Sequence, residues 1–165
     1  MGRLAILALR AVIALMFASL LVVQGMVVPA IGRDLEEAGP DVAHLQWPMM
    51  IIVFLGVLAV QVALVCIWQL LTMVRRDTVF SAAAFRYVDI IIGAAVGATL
   101  LAIVLSFLLA PGEDVAPGIV LLIVIGGMGT AGIALLVLVL RILLAKAMAL
   151  DTTATTLRAE LDEVI

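Results

Sequence analysis

Few residues in this chain could do chemistry, and nearly all of them lie outside its long apolar runs. The 165 residues include one histidine and one cysteine. His44 alone cannot supply the two axial ligands of a membrane haem, and no cluster of His, Cys and carboxylate residues has metal-ligand spacing. Cys66 cannot form an intrachain disulfide and has no neighbouring base to activate its thiol, so it reads as a small packing residue. Asp89 is the one candidate acid for proton-coupled transport. Such work places a carboxylate at or near the bilayer midplane, whereas Asp89 borders the edge of an apolar run. Arg10 and Arg141 lie just outside their own runs at the same depth, and an ion pair between Asp89 and one of them is expected. No GxSxG, HExxH, P-loop or dinucleotide fingerprint occurs. The expectation is therefore a protein that is not an enzyme and holds no cofactor or metal.

The elements that position these residues follow from composition. The chain is 67% hydrophobic and only 13% charged, far from the usage of water-soluble domains. Four uncharged runs stand out, at residues 11–31, 49–74, 90–110 and 118–140. Each is long enough as a helix to cross a hydrocarbon core of about 30 Å, which takes about 20 residues. A barrel would instead show short segments of alternating polarity. The fold class expected is all-α integral membrane, a four-transmembrane-helix antiparallel bundle over residues 1–146. A cytoplasmic tail with a short amphipathic helix follows over residues 147–165. The first run could serve as a cleaved secretory signal, with Val28-Pro29-Ala30 as the cleavage site, but its length favours a retained signal-anchor helix.

Eight of the nine Lys and Arg residues, from Arg3 and Arg10 to Lys146 and Arg158, fall on one side of the four runs, and only Arg33 falls on the other. Short basic loops stay in the cytoplasm, so both termini are expected there. No polybasic block points to direct nucleic-acid binding; the first partner is the lipid bilayer itself.

Between the second and third runs, Ser81 is spaced to cap a helix, with Phe80 and Phe85 as a hydrophobic staple across its first turn. Small residues mark expected helix contacts in lipid: Gly93 and Gly97 as a GxxxG pair, with Ala94, Ala98 and Ala102 as a neighbouring row, and Gly126, Gly127, Gly129 and Gly132 in the fourth run. They would pack within the chain, form a dimer face in a homo-oligomer or serve as a flexible gate. Ser19, Gln24, Gln61, Gln69, Thr72, Thr99, Ser106 and Thr130 are the polar residues inside the runs and read as interhelical or backbone hydrogen-bonding groups.

Beyond Arg141 a heptad stripe continues through Leu143, Ala147, Leu150, Ala154, Leu157, Leu161 and Val164. The segment Asp151-Thr152-Thr153-Ala154-Thr155-Thr156 has poor helix propensity and predicts a break. Past it, Leu157, Leu161, Val164 and Ile165 form an apolar edge flanked by Glu160, Asp162 and Glu163. So short a helix is marginal alone, which makes it a candidate docking element.

The basic loop Arg75-Arg76-Asp77-Thr78-Val79-Phe80-Ser81, followed by Phe85-Arg86, and the acidic, hydrophobic ending at residues 157–165 together resemble DUF2975, a family of small bacterial four-helix membrane proteins. The resemblance covers nearly the whole chain and implies a bacterial cell membrane. Such proteins are often encoded beside a small helix-turn-helix regulator, which implies a membrane anchor or antagonist for a DNA-binding partner. A membrane-bound interaction or regulatory protein is thus the first expectation. A small transporter or channel subunit and an assembly helper of another membrane complex are the alternatives.

Overall fold

The computed structural model describes residues 2–37, 46–75, 82–109 and 117–164. Every described segment is helical. The first comprises α1 (Gly2–Val22), a π-helical turn (Val23–Val27) and α2 (Val28–Glu37); α3 (Gln46–Arg75), α4 (Ala82–Leu109) and α5 (Pro117–Val164) follow. Among the described residues, four stretches are long and apolar enough to cross a membrane: Ile6–Asp34, Gln46–Val74, Ala83–Leu109 and Gly118–Arg158. The chain thus has the helices of a multi-pass membrane protein.

The π turn has a local cause. Pro29 has no N–H to give and its ring crowds the carbonyl four residues back, at Gly25. The chain widens its turn instead, and the Val28 N–H reaches the Val23 carbonyl. A π turn of this kind inserts one residue without ending the helix.

The helices pack as a row. The first segment lies on α3, α3 on α4, and α4 on α5; among the described residues, contacts of comparable extent join no other pair. Arg10 meets Thr72, Gln24 meets Gln61 and Gly32 meets Gln46, while Asp89 meets Arg141 and Thr99 meets Thr130.

α4 and α5 come close at Gly127, where an added Cβ would lie 3.0 Å from the Ala102 Cβ. Of the glycines expected to pack, Gly127 has such a neighbour and the others do not. A Cβ on Gly93, Gly97, Gly126, Gly129 or Gly132 would meet nothing within 4 Å. Equal spacing tells which residues share a face, and the packed face of α5 runs through Gly127 and Ala134, both buried.

The C-terminal segment also differs from expectation. α5 is continuous for 48 residues, with no break over residues 151–156. The hydroxyls of Thr152, Thr153 and Thr156 donate to the carbonyls of Met148, Ala149 and Thr152 at 2.9, 2.9 and 3.0 Å. Threonine is a weak helix former because its hydroxyl competes for the backbone and its χ1 freedom is lost. Here the hydroxyls bond back within the helix, and adding a residue to an existing helix costs far less than starting one. Residues 157–164 are therefore the end of a long helix.

Candidate functional site

Three levels matter: two along the row, where polar side chains meet, and the end of α5. At the level of Arg10, its Nη2 donates to Thr72 Oγ1 at 2.8 Å and its guanidinium lies 5.1 Å from the centre of the Trp68 ring. Thr72 is oriented for this, since its own hydroxyl proton goes to the Trp68 carbonyl at 3.0 Å. The Arg10 Nε is buried without a hydrogen-bond partner, so the aromatic face is what compensates that side of the cation.

At the same end of the other helix pair, Arg141 grips Asp89. Its Nε lies 2.6 Å from Oδ1 and its Nη2 donates to Oδ2 at 2.9 Å. The first approach is ionic, with the N–H off the hydrogen-bond line, and the second is the directional bond. Phe85, the residue expected as half of a staple, stands with its ring centre 5.8 Å from the same guanidinium. Of the two arginines considered for Asp89, the row puts Arg141 beside it and gives Arg10 to α3. Both ends of the pair are partly exposed, at 34% and 52%, so water screens it. Asp89→Asn is expected to cost less than about 1 kcal/mol. Unfolding in detergent micelles at low and high salt checks this: the small loss should vanish at high salt, and a large salt-independent loss would contradict the geometry.

At mid-length, Gln61 is the one buried polar residue among the described residues, 6% exposed. Its Nε2 donates to Gln24 Oε1 at 2.9 Å, while the Gln24 Nε2 is buried without a partner. Gln24 belongs to the π turn, so the widened backbone and the polar contact occupy one place. The matching contact on the other pair is Thr99 with Thr130, their hydroxyl oxygens 3.0 Å apart. Thr130 donates to the Gly127 carbonyl at 2.8 Å and Thr99 to the Ala95 carbonyl at 2.9 Å. Each hydroxyl has one proton, so the carbonyl bonds and the bond between hydroxyls cannot all be made at once.

The third level is the end of α5. Leu150 and Leu157 are exposed, at 72% and 54%. Phe80, Ser81, His44 and Ile165, and the side chains of residues 160–164, lie outside the described residues, so the cap, the staple partner and the acidic flank of the docking edge are not placed. Among the described residues no three His, Cys, Asp or Glu side chains gather as metal ligands would. The polar partners at mid-length were visible in the sequence only as types; their pairing needed the order of helices in the row.

No curated protein and no solved structure matches the chain. A protein-family profile does match, over residues 30–165, from the last turns of the first spanning helix to the end of the C-terminal extension. With most of its length under that match, the chain belongs to DUF2975, a family of proteins of unknown function.

Proposed function

We propose that this protein sits in a bacterial cell membrane as four antiparallel helices with both termini in the cytoplasm, and there holds a small helix-turn-helix regulator. The bias of basic residues to one side supports the orientation. The observation that carries the function is the length of α5. Its 48 residues span about 72 Å at 1.5 Å per residue, against a hydrocarbon core of about 30 Å. About half of the helix thus projects past the lipid, and its end combines an apolar edge at Leu157, Leu161 and Val164 with the acids Glu160, Asp162 and Glu163. An acidic, partly apolar helix end suits a small basic protein, and the attraction adds salt-sensitive speed to association.

A transporter or channel subunit is the second reading, favoured by the Gln24–Gln61 contact beside a π turn at mid-length. The two readings separate on the tail. Full-length protein and a chain ending at Thr156 are purified in mild detergent, and the co-purifying cytoplasmic proteins are compared. The full chain should retain a small basic DNA-binding protein that the shortened chain loses, and the loss should be reproduced by raised salt. Recovery of the same proteins from both chains would refute the docking role.

A further inference from the structure

α5 stands at one end of the row, with α4 on a single side of it. Its covered positions recur at spacings of three and four, through Ile123, Gly127, Thr130, Ala134 and Val137 to Arg141. One residue earlier in each case runs a second series with the same spacing, turned about 100° around the helix. It starts at Ile119, passes through Gly126, Gly129 and Leu140, and continues through Leu150 to Leu157; every position of it is exposed. The spacing continues to Leu161 and Val164. Within the uncharged span any register is apolar, but past Arg141 this one keeps Leu143, Ala147, Leu150, Ala154 and Leu157 at a repeat of seven, the pattern of a coiled-coil seam.

Two features separate this seam from the rest of the exposed surface. Beyond the apolar span the flanks of the helix turn polar, with Lys146, Thr152, Thr153 and Arg158 at exposed positions, yet the seam keeps Leu143, Leu150 and Leu157. Leucines in water call for a cover. Within the span the seam holds Gly126 and Gly129, where nothing within 4 Å occupies the space a Cβ would take. That space admits the close approach of another helix.

We infer that the occupant of this seam is α5 of a second copy, and that the protein is a parallel dimer joined along this helix through the membrane and into the cytoplasm. Charge selects the partner. With Leu150 at position d and Ala147 at a, Lys146 falls at g and Asp151 at e. In a parallel, in-register pair each g residue faces the e residue five positions on in its partner, so Lys146 of each copy faces Asp151 of the other. Two copies inserted in the same direction necessarily send their extensions out parallel. The seam shares Leu157 and the register positions of Leu161 and Val164 with the edge proposed for the regulator, so the last two turns serve one partner at a time, while the seam from Ile119 to Leu150 belongs to the second copy alone.

The test uses the full chain, purified without any other protein and reconstituted in lipid vesicles, with Cys66→Ala as background. Leu150→Cys, at a seam position, and Thr152→Cys, on the opposite face at position f, are oxidised side by side. Leu150→Cys should give at least about fivefold more disulfide-linked dimer, and Lys146→Asp added to it should lower the yield by roughly fivefold, the scale of two symmetric exposed helix ion pairs turned repulsive. Asp151→Lys added to Lys146→Asp should restore the yield, which a merely unfolded tail would not do. Equal yields from the two cysteines, only monomer from both, or no restoration by the double exchange would overturn the inference. Because no regulator is present, failure here leaves the docking proposal standing, and the capture experiment can fail while the dimer forms.

Discussion

Gly127→Leu is expected to destabilise the helical row by about 1–3 kcal/mol, through overpacking where Gly127 of α5 meets Ala102 of α4. Even a bare Cβ at this position lies 3.0 Å from the Ala102 Cβ, and both atoms are fixed to backbone, so neither can swing aside. Leucine is the better helix former by almost 1 kcal/mol, a gain the clash must exceed. The same residue also carries the carbonyl that receives the Thr130 proton at 2.8 Å, so pushing the helices apart strains a hydrogen bond along with the packing. Gly93→Leu is the matched control, because nothing lies within 4 Å of a Cβ there. Equilibrium unfolding in mixed micelles reads both variants. Equal midpoints for the two leucines would contradict the close approach at Gly127.

Gln61→Leu is expected to cost about 1–2 kcal/mol, at the upper end of what interhelical hydrogen bonds contribute in lipid. Leucine fills the site almost as well as glutamine, so the loss comes from what is left behind. Gln24 would keep a carbonyl oxygen with no donor beside an Nε2 that already has no partner. The asymmetry between losing one partner and losing both then makes a second statement testable. Gln24→Leu combined with Gln61→Leu should regain most of the stability, giving a favourable coupling in a double-mutant cycle read by the same unfolding assay. Additive losses would mean that the two side chains do not meet.

Both variants test contacts that single residues could not reveal in advance, while the helices themselves were plain. Apolar runs at 49–74, 90–110 and 118–140 lie within α3, almost within α4 and within α5, because twenty uncharged residues leave a backbone little choice but a helix. What the runs lacked was azimuth. Gly93 and Gly97 share a face by spacing, but which face turns to a neighbour depends on side-chain volumes across two helices at once, and Gly127 with Ala102 met that condition. The Asp89 contact was legible as a need for a cation at that depth; Arg141 rather than Arg10 answers it because α5 adjoins α4 and the first segment does not. Over residues 151–156 local propensity pointed to a break, and the momentum of a long helix with back-bonded threonines overrode it.

The π turn at Val23–Val27 has a consequence for how the first helix tolerates change in length. Eight residues separate Gln24, which meets Gln61, from Gly32, whose carbonyl accepts from Gln46 at 3.2 Å. In an unbroken α-helix those eight residues would overshoot two turns by about 80°, carrying Gly32 off the contact line. The wider turn absorbs most of that angle and acts as a phase corrector between two half-helices. Each half is thereby keyed to its own stretch of α3: the earlier one through Arg10 and Gln24, the later one through Gly32. A chain shortened by one residue within the turn can keep one of those registers but must rotate the other away, so this point on the first helix is a coupling whose tooth count matters more than its chemistry.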